Sequence, residues 1–286
     1  MQQKKQIRQS LESISSIPTL PVVIEKLTRL LQNPKTSAEE IGKAITTDQA
    51  LASKVLKLVN SAFYGFPGKI STITHAIVIL GFSTVKNVVL TASIFDAFRK
   101  KGTGIEGFDL EHFWLHSIAC GAAAQSIAKI TGSNQKEECF IAGLVHDIGK
   151  IILCQYLPEE FREAFVYSRE NSVLFFQSEN ELFDVTHQEI GGFLAERWNL
   201  PKDLQNAVKF HHSPSPAHDY YMMTAIVHCA DILIRALNYG NGGDMKIPVI
   251  SDNVWKNLGM DSIPLSQLFD AINDEIEKAT IFLQIT

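Results

Sequence analysis

Nine histidines are distributed unevenly along this chain: His75 stands alone in the first hundred residues, and the other eight fall between positions 112 and 228. The most informative is His146, within Gly143-Leu-Val-His146-Asp147-Ile-Gly-Lys150. An imidazole beside a carboxylate among apolar residues places a nitrogen and an oxygen ligand where water is excluded and a divalent cation offsets the buried charge. His116 lies 30 residues earlier, and Asp231 closes the apolar run Ala225-Ile-Val-His-Cys-Ala-Asp231, so two further ligands sit on faces expected to meet in one helical bundle. His187 and the adjacent His211-His212 fit a second ion, with the two oxygens of Asp147 suited to bridge both. Two metals about 3.5 to 4 Å apart clamp a phosphoryl group and lower the pKa of a bridging water. Lys150, one turn after His146, is expected on the same face as a cation for a phosphate oxygen.

Asp147 and Lys150 are thus the candidate catalytic residues, and His116, His146, Asp147, His187, His211, His212 and Asp231 the candidate metal ligands. The cofactor they imply is one or two divalent ions, with Fe, Mn, Ni and Zn not distinguished by these donors. A single histidine on an apolar face is ordinarily a hydrogen-bonded core residue, so the argument rests on the ordered set. By the same weighing His112 is expected at the surface, His228 as a support behind Asp231, His218 in solvent and His75 as structural.

Helices must position these residues, because nearly every segment repeats its apolar residues at a helical period and strand signals are scarce. Helices are expected at Ile7–Ile14, after Pro21, behind the capping box Ser37-Ala-Glu-Glu40, behind Asp48, and from Ser71 to Leu80 with a stop at Gly81. Another follows Ser83. The segment Gly102-Thr-Gly-Ile-Glu-Gly107 marks the boundary between a first helical part, residues 1–101, and a second, residues 108–286. In the second part helices are expected at Leu110–Ile130, Glu137–Leu157, Pro158–Arg169, Glu179–Arg197, Lys202–Phe210 and Tyr220–Leu237, then a mobile loop at Asn238–Asn253 and a closing helix. The fold class is all-α.

Composition narrows the setting. Of 286 residues 45% are apolar and 20% charged, which excludes disordered and collagen-like chains, and a net charge of −5 gives no global pull toward nucleic acid or an anionic membrane. Cys120, Cys139, Cys154 and Cys229 match neither a CxxC metal pair nor a disulfide framework and are expected as free thiols. No signal peptide is read at the N-terminus, and Ile73–Phe95 is interrupted by His75, Gly81, Ser83, Lys86 and Asn87, so no membrane span and a cytoplasmic location are expected.

The order His116, His146-Asp147, Asp231 resembles the HD superfamily of metal-dependent phosphohydrolases. Phe113-Trp114-x-His116-Ser117, His146-Asp-Ile-Gly-Lys150, Gly191-x-x-Leu194-x-x-x-Trp198-x-Leu200-Pro201 and His211-His212 are similar to its HDOD (HD-related output domain) branch. Ile17-Pro18-Thr-Leu-Pro21, Asn60-Ser61-Ala-Phe-Tyr64-Gly65, Ile73-x-x-Ala76-Ile77-x-x-Leu80-Gly81 and Val85-x-Asn87 extend the likeness to about residues 10–240. The resemblance implies a bacterial signal-transduction output module, with an N-terminal helical subdomain packed on an HD-like bundle, in a family many of whose members have lost catalysis. This chain keeps a candidate for every position of a two-metal site. It departs from the cyclic-di-GMP phosphodiesterases, because His211-His212 is followed by Ser213-Pro-Ser-Pro216 in place of an acidic, glycine-rich Tyr-Pro stretch.

Two function classes follow: a binding and signalling module, and an active phosphohydrolase on a nucleotide or phosphate ester. A signalling protein or a nucleotide second messenger is the expected partner. A DNA-binding helix-turn-helix around Gly81-Phe82, with Lys86, Arg99, Lys100 and Lys101, is disfavoured because Val85, Val88, Val89 and Ala92 are spent on packing.

Overall fold

The computed structural model describes residues 4–14, 22–31, 33, 35–98 and 104–284. The motif at Ile17–Pro21, the basic residues Arg99, Lys100 and Lys101, and Gly102 lie outside them. The fold is all-helical, 72% of it helix, and among the described residues strand pairing is confined to an isolated parallel bridge between Lys5 and Phe183.

In chain order the helices are α1 (Arg8–Ser13), α2 (Val22–Leu31), α3 (Ala38–Thr46), α4 (Gln49–Val59), α5 (Ile73–Phe98), α6 (Leu110–Ile130), α7 (Lys136–Val145), α8 (Ile148–Tyr156), α9 (Pro158–Glu170), α10 (Phe175–Leu182), α11 (His187–Arg197), α12 (Lys202–Phe210), α13 (Tyr221–Leu237), α14 (Asp252–Asn257), α15 (Leu265–Ala279) and α16 (Ile281–Gln284). They form two compact units, one of Met1–Ile17 and Lys101–Ile276, the other of Pro18–Lys100 and Glu277–Thr286.

This division differs from the boundary read at residues 101–108 at both chain ends. At the N-terminus Lys5 exchanges backbone hydrogen bonds with the chain at Leu182 and Asp184, and the Ile7 N–H donates to Asp184 Oδ1 at 2.8 Å, which ties α1 to the larger unit. At the C-terminus the buried Phe282 packs edge-on against Phe63, ring centroids 5.0 Å apart, within the smaller unit.

In the smaller unit the Ser37–Glu40 capping box starts α3, and the Asp48 carboxylate accepts from Leu51 N–H at the start of α4. Asn60 pins the following turn by accepting from the Ile70 N–H and donating to the Ile70 carbonyl, both at 2.8 Å. Backbone continuity in α5 breaks at Gly81, whose φ of +86° suits a residue without a Cβ. Val85, Val88, Val89 and Ala92 beyond it are buried, consistent with packing.

In the larger unit the stretch from Glu137 to Leu157 divides at His146-Asp147, and the stretch from Glu179 to Arg197 divides at residues 183–186. The second break arises because Phe183 is extended and bridges Lys5, after which the Thr186 N–H donates to Glu189 at 3.0 Å and starts α11 anew. Helices α6, α7 and α13 pack together, α12 packs on α7, α11 and α13, and α8 packs on α11. The four cysteines are free and buried.

By length and composition alone Ile73–Phe98, Lys136–Tyr156 and Ala217–Leu237 reach the range of a bilayer-crossing helix, although none holds a continuous run of about 18 apolar residues. Mean hydropathy tolerates the scattered polar residues that interrupt a continuous apolar run. Much of that apolar surface is spent inside the fold, 89% of the apolar window in the second stretch being buried.

Candidate metal centre

Breaks and ends of helices, more than helix faces, supply the site. His146 and Asp147 lie where α7 gives way to α8, His187 opens α11, and His211-His212 follow the end of α12. His116 and Cys120 are one turn apart on α6, and Asp231 and Arg235 one turn apart on α13. The side chains of His116, His146, Asp147, Lys150, His187, His211 and Asp231 are essentially fully buried.

Two ligand sets result. His116, Cys120, His146 and Asp231 direct donor atoms to one point, and Asp147, His187, His211 and His212 to another, the atoms of each set lying within 4.8 Å of one another. In the first, Asp231 Oδ1 is 3.2 Å from His116 Nε2 and 3.6 Å from His146 Nε2. In the second, Asp147 Oδ1 is 3.2 Å from His187 Nε2 and 3.5 Å from His211 Nε2, and His187 Nε2 is 3.4 and 3.2 Å from the Nε2 atoms of His211 and His212. The other Asp147 oxygen, Oδ2, is 3.4 Å from His146 Nε2. Ligands about 2.0 to 2.2 Å from a shared ion stand about 3.0 to 3.5 Å apart, so these spacings are those of coordination edges.

Hydrogen bonding on the outer side of the rings fixes their tautomers. His146 Nδ1 donates to the Gly143 carbonyl at 2.6 Å and His211 Nδ1 to the Val208 carbonyl at 2.8 Å. His187 Nδ1 lies 2.6 Å from Glu179 Oε2. Each leaves Nε2 turned into the site, the arrangement by which outer carbonyls and carboxylates orient metal-binding imidazoles. His146 Nε2 and Asp147 Oδ1 are buried without a hydrogen-bond partner, and two such atoms pointing inward fit a divalent cation between these donors.

The electrostatics agree. Burial pushes His211 down to about 4 and His212 well below its ordinary range, so both imidazoles are neutral at neutral pH, as a metal ligand must be. Burial also opposes charge on His146, but the carboxylates of Asp147 and Asp231 outweigh it and raise the group to about 9. Asp147 and Asp231 are held well below the usual carboxylate range against their burial, Asp147 chiefly by Lys150 and His146 and Asp231 chiefly by Arg235.

Lys150 does not take the place expected of it. It is fully buried, and its ammonium group donates to Asp147 Oδ2 at 2.8 Å and to the Gly242 carbonyl and Asp244 Oδ2, both at 2.9 Å. All three protons are committed, so it positions Asp147 and leaves none for a phosphate oxygen. The loop expected to be mobile is fastened over the site at its start: Asn241 N–H donates to the His112 carbonyl at 2.9 Å, and Asp244 joins Lys150 to Arg235. A Cβ at Gly242 would fall 2.9 Å from His116 Cδ2 and 3.1 Å from Asp147 Oδ2, so only glycine allows this approach.

Among the remaining histidines, His228 donates from Nδ1 to the His211 carbonyl at 2.7 Å, while His112 and His218 are exposed and His75 is half-buried. The sequence reading missed Cys120, Glu179, Arg235 and Asp244. Arg235, four residues after Asp231 on one helix face, had a readable signal.

A family model for the HDOD domain matches residues 17–214, and the chain belongs to the HDOD family. An uncharacterised protein of Treponema pallidum (strain Nichols) is 29% identical over 231 residues, 79% of this chain. The match spans 44% of that protein's length. Among solved structures, an HDOD domain protein of unknown function from Geobacter sulfurreducens shares the fold with a TM-score of 0.79 at 24% identity over 96% of each chain. A Shewanella amazonensis protein provisionally described as a phosphohydrolase does so with a TM-score of 0.74 at 23% identity over 97% of each.

Proposed function

We propose that this HDOD chain is a bacterial signal-transduction output module whose larger unit binds divalent metal and hydrolyses a phosphate ester. The observation that carries this reading is Asp147, which turns Oδ1 to His187 and His211 and Oδ2 to His146, one carboxylate between two sets of buried imidazoles. His146, Asp147, His187 and His211 would hold a divalent ion, which would supply polarisation of a phosphoryl oxygen and a lowered pKa for a coordinated water. The chain's own contribution is to hold imidazole nitrogens inward, to keep Asp147 ionised through Lys150 and His146, and to exclude bulk water.

A second reading, a metal-bound sensor without turnover, is favoured by the saturation of Lys150, which removes the cation expected to meet substrate. Elemental analysis of the purified protein, followed by turnover assays on a panel of phosphodiesters and nucleotides, separates the two. Metal with turnover supports the hydrolase; metal with ligand binding and no turnover supports the sensor; absence of metal overturns both.

A further inference from the structure

A strap of chain crosses the buried ligands and is held there by polar contacts. It leaves α13 at Asn238, and Gly240 lies so close to α6 that a Cβ would fall 2.3 Å from the His116 backbone nitrogen. Gly242 rests against a member of each ligand set, His116 and Asp147, and its carbonyl accepts from Lys150. Asp244 ends the fastened stretch: Oδ1 accepts the Phe175 N–H at 2.7 Å, and Oδ2 stands 2.9 Å from Lys150 Nζ and 2.8 Å from Arg235 Nη1. Beyond it residues 245–250 make no backbone–backbone hydrogen bond among the described residues, and Met245, Ile247 and Val249 are exposed. A cleft of about 180 Å³ lined by Gly242, Met245 and Ile247 reaches His116, yet the His116 side chain is 1% exposed. The strap therefore stands between solvent in the cleft and the ligands beneath.

Residues 240–244 read Gly-Asn-Gly-Gly-Asp, with no apolar side chain to anchor them, so lifting the strap breaks polar contacts and exposes little apolar side-chain surface. Charge links it to the ligands. Each cation beside Asp244 also holds a ligand carboxylate, Lys150 that of Asp147 and Arg235 that of Asp231. A divalent cation among the donors competes for those two carboxylates and repels both cations, which turns Lys150 and Arg235 toward Asp244. Loading thus tightens the strap, and the empty site holds it more loosely.

We propose that residues 240–244 are a latch that opens for a divalent ion to enter or leave the His116 set, with Asp244 as its catch. This rests on the metal-centre reading above.

The test follows Zn²⁺ uptake by the metal-free full chain and release from the loaded one, by stopped flow with a zinc-sensitive dye. Wild-type uptake is expected to level off as Zn²⁺ concentration rises, because opening of the latch sets the ceiling. Asp244→Asn keeps the shape but loses the charge that holds both cations, so uptake and release should both quicken by about tenfold or more. Unchanged rates overturn the proposal. So does faster release with uptake unchanged, which marks Asp244 as a support for the ligands alone. Should the variant fail to fold, the wild type decides by its uptake curve and by hydrogen exchange, in which Zn²⁺ should slow exchange of the amides of residues 240–244 by about tenfold or more. Uptake that rises in proportion to Zn²⁺ throughout, or equal exchange with and without Zn²⁺, overturns the latch alone. Wild-type protein that takes up no metal overturns the centre itself and the latch with it.

Discussion

Glu179 grips His187 at two points: Oε1 accepts its backbone N–H at 2.9 Å, and Oε2 lies 2.6 Å from Nδ1. One carboxylate therefore sets both the first turn of α11 and the direction of the His187 ring. Glu179→Gln keeps the shape but loses the charge that favours an Nδ1–H tautomer. Metal affinity is expected to fall by about 10- to 100-fold with the helical content unchanged, measured as metal retained on dialysis against graded chelator.

Removing Asp147 should cost both metal and stability. In Asp147→Ala, Lys150 loses one of its three acceptors and the imidazoles of His146, His187 and His211 lose their shared carboxylate, all without access to water. A loss of about 3–5 kcal/mol is expected on breaking a buried ion pair of this kind. Full metal content together with an unchanged melting temperature would contradict it.

Gly149 marks the closest approach of α8 and α11. A Cβ there would lie 1.9 Å from the His187 carbonyl oxygen and 2.9 Å from Gly191 N, and backbone cannot rotate out of the way. Gly149→Ala should therefore part the two helices, cost about 1–3 kcal/mol or more, and displace His187 from its ligand set. Calorimetry and metal analysis of the variant read the two effects separately.

The metal-free protein should show a stability maximum near neutral pH. His146, raised to about 9 in the fold from its ordinary 6.5, stabilises fully below pH 6.5, and that contribution is lost as pH climbs through 9. His211, lowered to about 4, takes its proton first in the unfolded chain, so stability also falls as pH drops from 6.5 toward 4. Melting temperatures of chelator-treated protein across pH 4–10 should peak near 6.5, and bound metal, by occupying His146 Nε2, should flatten the alkaline side.

What could be read from the sequence was residue type and helical spacing: the all-helical class, the stop at Gly81, the caps at Ser37 and Asp48, and the histidines and aspartates of the two sets. What could not be read was pairing across chain breaks. Glu179 reaches His187 only because the chain becomes extended at Phe183, and no helical period announces that. Asp244 comes from a glycine-rich loop whose composition suggests mobility, while its role depends on two cations brought in from α8 and α13. Spacing also placed Lys150 on the correct side of Asp147 without showing that its protons were already taken.

Each unit is completed by a piece of chain from the far side of the other: Lys5 waits for Phe183, and Phe63 for Phe282. During synthesis the ribosome emits residues 18–100 long before the aromatic ring that covers Phe63, and Lys5 long before its bridge partner. Closing contacts so distant in sequence slows the search for the native state. Vectorial synthesis thus leaves both units unfinished until late in translation, and cutting the chain at residue 101 would take from each fragment a part that only the other can supply.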